Sequence, residues 1–218
     1  METNDILLEA LSLFSIVQFP NQQCAGSSSS STYGTCYTSS ECSSRGGSAD
    51  GNCAAGFGVC CVISTSTCGS SISTNTTYIR NPGYPSSFTA SSAATCTFTF
   101  SKVSDDICQL RLDFQTFSGF ATSTTAGDCY DKLAVAGQTG VDPPSICGTN
   151  TGYHSKLDKC IPGVLLIFNG NLFLVYAEFG ATSTDSISMT LTYGSSGLTT
   201  AKTFNILARQ ISCTATWK

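Results

Sequence analysis

A chain of 218 residues carries 13 cysteines, a formal charge of -4 and only 11% charged residues. Weak acidity without a basic stripe excludes nucleic acid and anionic membrane surfaces as partners. Cysteine at this density reads as persistent disulfides and therefore as an oxidising compartment, so the expected location is secreted and extracellular. Residues 1–20 form an apolar leader or degenerate signal segment. Glu9 interrupts the apolar run Ile6 to Val17, and no Lys or Arg occurs between Met1 and Ser44 to make a basic n-region. The run is too short for a membrane span, and no later segment approaches the needed length.

Residues 21–62 hold six of the cysteines: Cys24, Cys36, Cys42, Cys53, Cys60 and Cys61. The segment has no Ile or Leu, so apolar burial cannot offset its conformational entropy and cross-links must hold it. Zinc is excluded by spacing, because the chain has no Cys-x-x-Cys pair and a single histidine, His154. Sequence alone leaves the pairing of six cysteines open. The serine run Ser27 to Ser31 reads as a flexible spacer, and Gly56 and Gly58 leave the backbone free to turn before the vicinal Cys60-Cys61.

From Cys68 onward the pattern is that of strands. Thr97 to Phe100 alternates polar with aromatic, and Gln109 to Phe114 sets Leu110, Leu112 and Phe114 on one face. The same period recurs at Leu133 and Val135, over Ile187 to Tyr193 and around Phe204 and Ile206. Val164 to Phe168 and Leu172 to Tyr176 are continuous apolar runs of the kind buried on both faces. No helix is expected after residue 20, and the fold class is all-β, an antiparallel β-sandwich preceded by a small disulfide-rich module. Asn75-Thr76-Thr77 is a glycosylation sequon at Asn75.

Over residues 68–193 the order of motifs resembles a CUB domain. Cys68-Gly69, Asn81-Pro82-Gly83-Tyr84-Pro85, Cys96-Thr97-Phe98, Leu110 to Phe117, Cys129 to Gly137 and Ile146-Cys147-Gly148 follow in the family's sequence. The stretches around His154 and around Phe204 to Cys213 are similar to an arthropod group of secreted CUB proteins. The resemblance implies a jelly-roll type sandwich with Cys68 bonded to Cys96 and Cys108 to Cys129, leaving Cys147 and Cys160 as a local pair. It also implies that 194–218 begins a further, truncated CUB-like unit. Residues 21–62 resemble a clip-type knot, which implies the pairs Cys24–Cys60, Cys36–Cys53 and Cys42–Cys61. Cys213 is then the odd cysteine, bonded to a missing C-terminal segment or to another chain.

No catalytic residue and no cofactor is expected. His154 is the only histidine available as a base, and no nucleophile turn of the Gly-x-Ser-x-Gly kind accompanies it. Asp105-Asp106 reads as a turn and Asp113 as a solvated strand position. For calcium the resemblance implies a glutamate near the end of the Phe-rich strand, an aspartate in the fourth-cysteine strand and a later aspartate. Asp131 is the clear match, Phe120 stands where the glutamate should be, and Asp185 or Glu178 is a poor third, so no metal is expected. Phe117, Phe120 and Tyr130 flank the loop that faces a partner in CUB domains and are the candidate binding residues, although the usual burial of Phe favours the core for Phe117. The leading function is a non-enzymatic module that binds an extracellular protein. The runner-up is the regulatory clip/CUB portion of a larger secreted serine protease or protease homologue. A structural constituent of cuticle or silk would need long repeats, and none occurs.

Overall fold

The computed structural model describes residues 17–125, 128–152, 167–168, 171–172 and 175–214. The first module is a four-stranded antiparallel sheet of order β1-β2-β4-β3, made by β1 (Gln23–Ala25), β2 (Tyr33–Tyr37), β3 (Ser48–Cys53) and β4 (Gly58–Val62). Its bonds are Cys24–Cys60, Cys36–Cys53 and Cys42–Cys61, the same pairs that the clip resemblance implies. Alternation along β4 explains the vicinal pair. Neighbouring side chains leave a strand on opposite faces, so Cys60 reaches β1 while Cys61 reaches the helix on the other side.

That helix, α1 (Ser39–Ser44), departs from the expectation of no helix after residue 20. Its signal is local: Thr38 Oγ1 accepts from the Glu41 backbone N–H at 3.2 Å, and Glu41 Oε2 accepts from the Thr38 N–H at 3.0 Å, a capping box. The serine run is likewise anchored rather than a free spacer. The Asp50 carboxylate accepts from the Ser27 and Ser28 backbone N–H groups and from both hydroxyls. These bonds, those of Ser28 first, hold its carboxyl below the usual range.

The second module is a sandwich. One sheet has the order β10-β14-β8-β6 and the other β13-β9-β15-β7-β5. Their strands are β5 (Ser64–Thr65), β6 (Ser71–Ile72), β7 (Thr76–Arg80), β8 (Ala94–Ser101), β9 (Ile107–Ser118), β10 (Lys132–Ala136), β13 (Val175–Glu178), β14 (Ser186–Tyr193) and β15 (Thr203–Ser212). A small hairpin, β11 (Ile167–Phe168) with β12 (Asn171–Leu172), precedes β13. All pairings are antiparallel except β5 with β7 and β6 with β8. Phe98, Phe100, Ile187, Met189, Leu191, Leu133 and Val135 face Leu110, Leu112, Phe114, Ile206 and Ile79 across one core. These are the period-two positions of the sequence, and the four-stranded sheet keeps its hydroxyl-bearing alternates, Thr97, Thr99, Thr190 and Thr192, half-buried on the outside.

Three expectations are corrected here. β15 (Thr203–Ser212) lies between β9 and β7 in the same sandwich, so residues 203–212 belong to this domain and not to a further unit. Cys108 bonds to Cys213, not to Cys129, and Cys129 bonds to Cys147, not Cys147 to Cys160. The cause is the central place of β15: Ser212 pairs with Ile107, which brings Cys213 beside Cys108. Cys68–Cys96 is formed. With twelve cysteines in these six bonds, the count of 13 leaves Cys160, which lies outside the described residues, as do His154 and residues 164–166 of the first apolar run.

The knot rests on the outer face of the five-stranded sheet. Register places Tyr78, Leu207 and Asp113 in one outward row, yet all three are buried. The Tyr33 N–H donates to Tyr78 Oη at 2.9 Å, and the Arg209 guanidinium lies 5.6 Å from the centre of the Tyr33 ring. Asp113 is therefore not the solvated position expected. It pairs with Arg111 at 2.6 Å and with Arg209.

Candidate functional site

The expected binding residues separate when placed in the fold. A β-bulge between Asn205 and Ile206 opposite Thr116 and Phe114 leaves Gln115 as an extra residue in β9. Plain alternation would turn Phe117 outward, and the extra residue reverses it. Phe117 is fully buried, its ring 5.3 Å from Phe114 and stacked on Phe120 at 4.1 Å with 13° between planes. Phe120 is buried as well. Both belong to the core, which corrects their assignment to a partner-facing surface. Phe117→Ala should cost about 3–5 kcal/mol of stability, read as a lowered urea midpoint; a variant as stable as the parent would contradict this placement.

Tyr130 is 38% exposed and stands at the surface. It lines an open cleft of ≈ 420 Å³ with Asp128, Lys132, Ser123 and Ser145, next to the Cys129–Cys147 bond. The bond and the bridge between Thr122 and Cys129 fix the walls. Val141, 81% exposed, sits in the connection that carries Ser145.

Beneath Tyr130 is the group that sequence reasoning half found. Asp131 is fully buried and its carboxylate is spent inside the protein: Oδ2 accepts from the Ala121 N–H at 2.9 Å, and Oδ1 accepts from the Gly194 N–H at 3.0 Å. The Lys202 ammonium, also fully buried, lies 3.2 Å from Oδ2. Burial first, and then the Asp131 charge, push the Tyr193 phenol up to about 12. Lys202 was not legible as a partner, because nothing in Thr199-Thr200-Ala201-Lys202 marks a buried ammonium.

The remaining carboxylates named for a metal lie elsewhere. Asp131 adjoins Lys132, which pairs with Thr192 near the end of β14, whereas Asp185 precedes its start. At about 3.3 Å per residue the two are roughly 20–25 Å apart. Asp185 instead accepts from the Thr182 N–H in a turn, which holds its carboxyl below the usual range. Glu178 pairs with Gln109 at the start of β9. Among the described residues no group of three or more His, Cys, Asp or Glu side chains could hold a metal ion.

No family model and no curated protein matches the chain. Among solved structures it is similar to the CUB1-EGF-CUB2 domain of human MASP-1/3 (14% identity, 69% of this chain and 44% of that chain, TM-score 0.44). It is similar also to the MASP-1 CUB2 domain bound to Ca2+ (16%, 65% and 98%, 0.42) and to the extracellular region of zebrafish Gpr126/Adgrg6 (14%, 69% and 14%, 0.39). The chain thus spans less than half of the first of these. From its own sheets and bonds, the fold class is all-β: an antiparallel sandwich preceded by a small disulfide-rich module. Among the described residues no helix is long and apolar enough to cross a membrane.

Proposed function

We propose that the chain is a secreted, non-enzymatic interaction module in which a clip-like knot and a CUB-like sandwich present one rigid surface to another extracellular protein. The observation that carries this reading is Tyr130, an exposed aromatic on the rim of a cleft whose walls are fixed by the Cys129–Cys147 bond and by the Asp131–Lys202 pair below. Aromatic anchors on pre-ordered surfaces bind with little loss of conformational freedom. A non-catalytic role is supported by the state of the groups present. Both Asp131 oxygens are occupied, and twelve cysteines are in bonds. Six disulfides support extracellular residence, and the knot's connectivity supports the clip-like assignment.

The test is photocrosslinking from position 130. A photoreactive phenylalanine analogue at Tyr130, exposed to the secreted proteins of the source organism, should give an adduct that excess unlabelled parent chain competes away. Chain carrying Tyr130→Ala and Lys132→Ala should not compete. Equal competition by that variant would remove the cleft from the interaction.

A further inference from the structure

We propose that the Lys202 ammonium is the resident cation of this end of the sandwich, tying its loops together so that no divalent ion is needed. An ammonium has three protons to donate, and three oxygens surround this one: Gly197 O at 2.6 Å, Thr200 O at 3.0 Å and Asp131 Oδ2 at 3.2 Å. The carboxylate in turn holds the N–H groups of Ala121 and Gly194. One ion pair therefore fastens the segment after β9, the start of β10 and the connection from β14 to β15. The neighbours are shaped for it. A Cβ on Gly197 would stand 2.2 Å from Asp131 Oδ2, and one on Gly119 would stand 1.9 Å from the Ala201 carbonyl oxygen beside Lys202, at a φ of +80° that already favours glycine.

A calcium ion does not fit these residues. It takes six to eight oxygens, whereas among the described residues no group of three or more His, Cys, Asp or Glu side chains stands together, Phe120 holds the expected glutamate position with a buried ring, and Asp185 lies at the far end of β14. An ion entering beside Asp131 would meet a positive charge already paired there. Asp131 is likewise closed to a partner's lysine, so recognition falls to the cleft surface around Tyr130 and not to this carboxylate.

The experiment uses the whole chain. Its melting temperature should be the same in millimolar calcium chloride and in chelator, with no binding heat for calcium in calorimetry. Lys202→Met and Asp131→Asn should each lower the melting temperature by many degrees in both buffers. The double variant should lose much less than the sum, because it leaves no unpaired buried charge. Should Lys202→Met not fold, the double variant carries the test: a folded double variant supports the pairing and an unfolded one overturns it. A calcium-dependent rise in the parent's melting temperature that Asp131→Asn abolishes would also overturn it, as would Lys202→Met melting like the parent.

Discussion

Replacing Cys24, Cys36, Cys42, Cys53, Cys60 and Cys61 with serine should unfold residues 23–62 outright while the sandwich stays folded. The knot's apolar core is Tyr37, Cys42, Cys61 and Ile63, with Val59 against it, so half of its buried core is cysteine. Its bonds close separations of 36, 17 and 19 residues, each contributing about 3–4 kcal/mol in the chain-entropy account. Their sum, on the order of 10 kcal/mol, exceeds the roughly 2–6 kcal/mol expected for a folded segment of this size at ordinary stability per residue. Hydrogen exchange is the measurement. Amides of β2 and β4 should exchange at unfolded-chain rates in the serine variant, and those of β8, β9, β14 and β15 should stay protected. Persistent protection of β2 and β4 would show that docking on Tyr78 and Leu207, not the cross-links, holds the module.

The parts of this fold that were legible in the sequence are those set by period. Leu110, Leu112 and Phe114, or Ile187, Met189 and Leu191, announce an inward face because a strand alternates and nothing interrupts it. Phe117 shows where that logic stops: one bulged residue, Gln115, reverses the faces, and no local residue type marks the bulge. The capping box Thr38 to Glu41 was written plainly but lies in a cysteine-rich stretch that reads as loop. Asp131 could be singled out by its register to Leu133 and Val135. Its partner could not, since Lys202 is separated from it by 71 positions and belongs to a segment whose membership in the sandwich depends on β15 entering between β9 and β7. The same long-range placement hid the Cys108–Cys213 bond.

Replacing Cys108 and Cys213 together with serine should cost about 4–5 kcal/mol, more than the loss of any other single bond of the sandwich. The bond spans 105 residues, against 28 for Cys68–Cys96 and 18 for Cys129–Cys147, and the freedom removed from the unfolded chain grows with the loop closed, from about 3 kcal/mol at short spans to about 4.7 near a hundred residues. Native contacts should change little. Ser212 stays paired with Ile107, the Cys213 N–H still donates to the Asp106 carbonyl at 2.7 Å, and the Ser212 hydroxyl still donates to the Asp106 carboxylate at 3.1 Å. The effect therefore acts through the denatured state, and urea unfolding should show a lower midpoint together with a steeper dependence on denaturant, because the uncrosslinked chain exposes more surface. The paired replacement of Cys129 and Cys147 should cost about 3 kcal/mol by the same relation. If the two double variants proved equally stable, the loop-span account of these bonds would fail; if peptide mapping of the parent chain joined Cys108 to Cys129, the placement of β15 at the centre of the sheet would have to be abandoned.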